Sequence, residues 1–210
     1  MQALLFQPEV EKVHHREASS FYADHHYIGT VGYNAFTVGL RTHQGELRGC
    51  VSFGVPATHA ARSSWFGADL ASEVYELTRL AICDELKASW FVARALEYWL
   101  RYRERASLGA VKALISYADT REGHHGGVYQ AMSWIYCGTT EPTTGFIDAD
   151  GRPVHRRRNG QNMVYDDLQR IRTSPKHRYV KILGSSRQRR RMRKALCYEV
   201  MTYPKTEERP

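Results

Sequence analysis

The spacing of apolar and polar positions changes several times along this chain, and each change marks an element. From 88 to 106, ASWFVARALEYWLRYRERA, the residues Trp90, Phe91, Ala95, Leu96, Trp99 and Tyr102 recur near a 3.6 period, with Arg94, Glu97, Arg101 and Glu104 on the other side. That pattern predicts an amphipathic helix with one face for a core. Asp84 or Ser89 fits its cap, and Gly109 its stop. On either side lie apolar runs, EVYELTRLAIC (73–83) and AVKALISYA (110–118), that read as buried strands. Strand, helix and strand together predict a parallel pair joined by a right-handed crossover. Two β-rich runs, 35–42 and 46–55, alternate apolar with small or polar residues around a tight link at Gly45, and so predict an antiparallel hairpin.

The remaining segments carry weaker patterns. A weak amphipathic helix is expected over 9–24 and a loose Ser/Ala-rich connection over 56–72. After residue 118 come a polar corner, a helix of about two turns in GGVYQAMSW, a strand WIYCG and a small hairpin over 143–158. A short helix in VYDDLQRIRT, a strand over 177–184 and a basic helix SSRQRRRMRKALC, capped by Ser185 or Ser186, complete the prediction. There is no internal repeat and no dividing linker, so one α/β domain over 1–210 is expected.

Composition narrows the setting. The longest apolar runs fall well short of the roughly 18 residues that a membrane span needs. The start, MQALLFQPEVEKVHH, has no basic flank or cleavage site, so a cytoplasmic protein without membrane partners is expected. The four cysteines, Cys50, Cys83, Cys137 and Cys197, are far apart with no CxxC pair. They predict buried reduced thiols rather than a zinc site or disulfides.

Charge is the strong compositional signal. The net charge is +8, but residues 1–151 carry 13 Lys and Arg against 17 Asp and Glu, whereas residues 152–194 carry 15 against 2. Such a block is the electrostatic footprint for a polyanion. Arg156, Arg157, Arg158, Lys176, Arg178, Arg187, Arg189, Arg190, Arg191, Arg193 and Lys194 are the candidate nucleic-acid contacts, with double-stranded DNA as the partner. A solvated basic face is the plainer alternative.

Chemistry concentrates in the corner after the 110–118 strand, which holds Ser116, Tyr117, Asp119, His124 and His125, with Tyr129 one turn into the next helix. Open α/β sheets place ligands beyond the carboxyl ends of their strands, where this corner falls. Asp119 is a candidate general base or metal ligand, or a helix N-cap. Tyr117, two residues before it, shares its strand face and either orients a substrate or packs in the core. His124 is a candidate proton acceptor or metal ligand, its charged form disfavoured by the helix dipole, or else a structural His. His26, with Tyr27, is a further candidate for proton transfer or metal binding.

The order of elements resembles the GNAT acetyltransferase fold, which implies a central mixed sheet flanked by helices, here with a basic C-terminal extension. In that fold a phenol at the position of Tyr129 protonates the leaving thiolate, although core packing explains Tyr129 equally. The fold also cradles a coenzyme A pyrophosphate on a Gly-rich loop ahead of the long helix. Here that loop is DELKASWF (84–91), without a glycine, and side chains at every position keep the backbone from a close approach.

A closer resemblance covers most of the chain. DHHYIG (24–29), ELTRLAICDE (76–85), ISYADTREGHHGGVYQAMSWIYCG (115–138) and KHRYVKILGSSRQRRRMRKALCYEVMTYPK (176–205) are similar to the Mom-type DNA modification proteins of phages. The chain departs from that family in the His-His-Gly-Gly after Gly123, where a hydroxylated residue is more usual near position 127. The resemblance implies an enzyme that converts adenine in DNA to the N6-carbamoylmethyl form and so protects phage DNA from restriction. It implies His26, Tyr27, Tyr117, Asp119 and Tyr129 as catalytic residues, and Arg79, Ser116 and His124 as residues that hold the co-substrate. Iron, with His26, Asp119 and His124 as candidate ligands, and an acyl-CoA or other acyl or glycyl donor are the candidate cofactors, and a homodimer is the candidate assembly. The alternatives are an acyl-CoA-dependent N-acyltransferase on protein, RNA or a small amine, and a non-enzymatic DNA-binding protein on the same scaffold.

Overall fold

The first element is not the helix that the 9–24 pattern suggests. Glu9–Lys12 forms strand β1, and helix α1 (His15–His25) begins only after His14, whose ring nitrogen accepts from the Arg16 amide. Val10 packs on the core, so tertiary pairing overrides a weak helical period. The computed structural model describes residues 9–32, 35–83, 87–149 and 168–204, and of 153–154, 157–158 and 161–162 the backbone alone.

The expected hairpin forms from β2 (Phe36–Arg41) and β3 (Leu47–Gly54), paired antiparallel. The connection expected to be loose contains helix α2 (His59–Phe66), capped by the Thr58 hydroxyl, and a 3-10 turn over Ala68–Glu73. Trp65 and Phe66 are buried at the end of α2, and that burial orders a segment of little apolar periodicity.

Strand β4 (Val74–Ile82), helix α3 (Ala88–Arg105) and strand β5 (Ala113–Asp119) form the predicted crossover, with β4 and β5 parallel. Helix α3 has Lys87 at its N-cap with no side-chain hydrogen bond, Ser89 lies inside it, and Asp84 falls outside the described residues. It stops at Ala106, before Gly109.

Helix α4 (Gly127–Ala131), shorter than expected, leads to β6 (Ile135–Thr139). β7 (Thr144–Ile147) and β8 (Pro153–Val154) make the predicted hairpin, and β9 (Arg157–Arg158) pairs with β10 (Gln161–Asn162). The predicted helix at 164–173 is corrected: residues 163–167 lie outside the description, and Gln169–Arg172 is strand β11, paired with β7. Gln-Arg-Ile-Arg alternates with period two, and only Ile171 turns partly inward. β12 (Lys176–Ile182) and α5 (Ser186–Ala195) agree with the prediction, and Ser185 and Gln188 form a capping box.

Seven strands make one mixed sheet in the order β1-β2-β3-β4-β5-β12-β6. Helix α3 covers one face, where Phe91, Ala95 and Trp99 meet Val51, Phe53 and Leu114, with Trp99 stacked on Phe53. Helices α1, α2 and α5 cover the other, through Phe21 and Tyr22, Trp65 and Phe66, and Met192. Among the described residues no helix is long and apolar enough to cross a membrane.

Candidate active site

The sheet forks at its centre. β4 pairs with β5 only from Val74 to Glu76, against Ala113 to Ile115. Beyond that point β4 stays with β3 as far as Ile82, and β5 stays with β12 as far as Asp119. A bulge at Thr78 marks the parting on β4. Leu77 loses a ladder partner there, and the Ser116 hydroxyl supplies one by donating to its carbonyl at 2.9 Å. The Tyr129 hydroxyl reaches Ser116 from α4, at 2.8 Å. Burial pushes the Tyr129 phenol up to about 12.

Alternation sets Tyr117 and Asp119 on the face of β5 that carries Ala113 and Ile115. Glu76 sits beside Ile115 on the neighbouring strand. Burial raises the Glu76 carboxyl to about 7, although Arg79 and Lys176 pull it the other way. Arg79 donates to the carbonyls of Thr30 and Thr78, at 3.1 and 2.6 Å, and burial disfavours its charge. The Tyr117 hydroxyl accepts from Trp65 Nε1 at 3.2 Å, and burial holds it up to about 12.

Asp119 has both oxygens engaged. One accepts from the Arg121 amide at 3.0 Å and caps the short turn Thr120–Glu122, and the other lies 3.1 Å from Lys176 Nζ. Arg178 lies 4.1 Å over the Tyr198 ring, and Tyr198 packs on Trp65. Lys176 and Arg178 are thus engaged with groups of the fork rather than spread on the outer basic surface.

The turn after α1 supplies the wall. His26 stacks on Tyr27 with ring centroids 4.6 Å apart, and His124 meets Tyr27 at 5.9 Å. The His26 imidazole is lowered to about 4 by burial, with Arg79 and His124 adding to the effect, so it is neutral near pH 7. Burial, with Asp119, raises Tyr27 to about 12. His124 precedes the α4 cap by two residues and is exposed, so it does not sit at the helix start where the sequence pattern put it.

The His-His-Gly-Gly corner has a steric cause. Gly126 has φ +81, and a Cβ there would lie 2.3 Å from the Tyr179 ring, whose hydroxyl donates to the His125 carbonyl at 2.6 Å. Gly126→Ala is therefore expected to cost about 2–4 kcal/mol of stability, from overpacking and a left-handed backbone, read as a lower denaturant midpoint.

Helix α5 is basic on every open side. Arg187, Arg189, Arg190, Arg191, Arg193 and Lys194 are exposed while Met192 is buried. Arg189 folds back on the Gly184 carbonyl and Ser186, and no other of the six has an ion-pair or hydrogen-bond partner among the described residues. Arg156 lies outside the described residues, and of Arg157 and Arg158 only the backbone is described.

Two implied cofactors can be tested against these residues. No group of three or more His, Cys, Asp or Glu close enough to hold a metal ion occurs among the described residues. Tyr27 contacts both His26 and His124, and the Asp119 oxygens are taken. The arrangement does not fit an iron centre. Between β4 and α3 the sequence CDELK has no glycine and two acids, a poor cradle for a pyrophosphate.

Reasoning from sequence missed Glu76. A carboxylate inside a strand that otherwise reads as buried is a partial signal, and its depth comes only with the assembled sheet.

A profile of the Mom protein family matches residues 7–205. The methylcarbamoylase mom of Escherichia phage Mu is 31% identical over 140 residues, which cover 62% of this chain and 56% of that protein. The match thus spans little more than half the length of that relative. An acetyltransferase, by assignment, from Acinetobacter baylyi ADP1 superposes with a TM-score of 0.50 at 11% identity, over 89% of this chain and 97% of its own. An assigned acetyltransferase from Salmonella typhimurium, solved with acetyl-CoA, gives a TM-score of 0.49 at 7% identity, over 85% and 95% of the two chains. The fold is the GNAT-like acyltransferase fold, a mixed central sheet between helices.

Proposed function

Because the chain belongs to the Mom protein family, we propose that it is a transferase that modifies the N6 amine of adenine in DNA to the carbamoylmethyl form. In a phage this would shield the DNA from restriction. The observation that carries the reading is Glu76, a carboxyl poised near neutrality in the fork of the sheet, with exposed cations along α5 that, Arg189 apart, have no partner among the described residues.

The exocyclic amine of adenine is a weak nucleophile, because its lone pair delocalises into the ring. As its nitrogen attacks the electrophilic carbon of the donor, a C–N bond forms and the leaving group departs with its electron pair. The amine proton passes to the Glu76 carboxylate, a base matched to neutral pH. Tyr27 and Tyr129, both with phenols pushed up to about 12 and so protonated at neutral pH, are the proton sources for the leaving group. Tyr117 is held by Trp65 and lines the fork, Asp119 ties the corner to Lys176, and His26 backs Tyr27. Arg79, Ser116 and His124 are the residues assigned to the donor, a small acyl or glycyl compound. The α5 cations hold the phosphate backbone.

Mass spectrometry of nucleosides from DNA of cells expressing the protein tests the reading. The wild-type protein is expected to yield a modified deoxyadenosine, and Asp119→Ala to lose it. An unmodified adenine pool in cells with confirmed expression would overturn it.

A further inference from the structure

Tyr27, in the turn after α1, is 47% exposed although its ring meets His26 and His124. The other exposed aromatic rings among the described residues lie elsewhere. Trp90 and Tyr102 are on α3, and Tyr203 is in the C-terminal segment beyond α5.

The open ring is also rigidly supported. One side stacks on His26 with an interplanar angle of 21°. The Nδ1 atom of His26 accepts from the Ile28 amide at 3.1 Å, and its ring stands edge-on to Tyr22 at 5.6 Å. Tyr22 is fully buried, and its hydroxyl lies 3.0 Å from Ser52 on β3. A continuous line of contacts thus runs from the sheet through Tyr22 and His26 to a ring that meets solvent. His124 touches the same ring, and its amide donates to the Asp119 carbonyl at 3.1 Å, which ties the platform to the end of β5.

A base inside a duplex must leave the stack before its amine can be reached, and an aromatic face replaces the stacking it loses. We propose that Tyr27 is the platform on which the extruded adenine stacks, with its amine turned toward the fork that holds Glu76 and Asp119. The inference rests on the DNA-modifying reading above and adds the residue that captures the base. It distinguishes the ring of Tyr27 from its hydroxyl.

Two variants separate the roles. In steady-state modification of a duplex by the full-length protein, Tyr27→Leu is expected to raise the KM for DNA about 5- to 150-fold, and Tyr27→Phe to keep it within about twofold whatever its kcat. With 2-aminopurine in place of the adenine that the wild type modifies, bound complexes of the wild type and Tyr27→Phe should stay dim, because the extruded base is stacked. The Tyr27→Leu complex should be brighter. A KM for Tyr27→Phe raised as far as that of Tyr27→Leu, or a Tyr27→Leu complex as dim as wild type with an unchanged KM, overturns the platform while the DNA-modifying reading stands. Absence of modification by the wild type overturns both.

Discussion

Glu76→Gln is expected to slow DNA modification by about 100- to 10,000-fold, the usual contribution of a positioned general base. The same substitution should make the protein more stable at pH 8. The two effects have one cause. Burial raises the folded-state carboxyl from its ordinary value of 4.5 to about 7. A group whose pKa is raised on folding favours the fold below its unfolded value, and that contribution is lost as pH rises through the folded one. Above about pH 7 the wild-type protein therefore carries a buried carboxylate that Arg79 and Lys176 offset only in part. Glutamine carries no charge, and its advantage should reach about 1–3 kcal/mol at pH 8 and fade toward pH 5. The wild-type rate should rise with pH and reach half its plateau near pH 7, where the base loses its proton. Denaturant unfolding at pH 5 and 8, with rates across the same range, checks both halves. A Glu76→Gln variant that keeps the wild-type rate would remove Glu76 from the chemistry.

Periodicity served where a segment buries one face through its own pattern. Helix α3 shows its Phe91, Ala95, Leu96 and Trp99 stripe in the sequence, and the core uses those residues. It failed where a partner decides. The Val10 strand exists because β2 offers an edge, and α2 exists because Trp65 and Phe66 find a pocket against Val74, Ile115 and Met192. Gln-Arg-Ile-Arg falls in VYDDLQRIRT, which reads as a short helix, while its two-residue alternation satisfies β7.

The site divides in the same way. Ser116, Tyr117, Asp119 and Tyr129 were legible because they follow one another around a corner. Tyr117 finds its hydrogen bond at Trp65, a residue from another element, and spacing along β5 gives no sign of that. Glu76 has its character from depth. The same residue on an exposed edge would be an ordinary acid, and depth is a property of the whole sheet rather than of EVYELTRL.

Arg187, Arg190, Arg191 and Lys194 stand at i, i+3, i+4 and i+7, so they share one face of α5, opposite buried Met192. Replacing all four with glutamine is expected to flatten the dependence of log K for DNA on log salt by about 3 to 4, close to 0.9 for each phosphate contact. If the two lines meet near 1 M salt, affinity at 0.1 M falls by about a thousandfold or more. The loss should be similar for every duplex sequence, because phosphate contacts position the protein and do not read bases. Folding should survive. Glutamine is a good helix former, the Ser185–Gln188 capping box and Met192 are untouched, and relief of like-charge neighbours should raise the melting temperature slightly. Fluorescence anisotropy with labelled duplex at several salt concentrations, beside a thermal melt, separates binding from stability. A slope equal to the wild type's would place the phosphate contacts off α5. The basic residues of β11, Arg170 and Arg172, are the next exposed cations to test, since they lie on the small sheet of β11, β7 and β8 rather than on this helix.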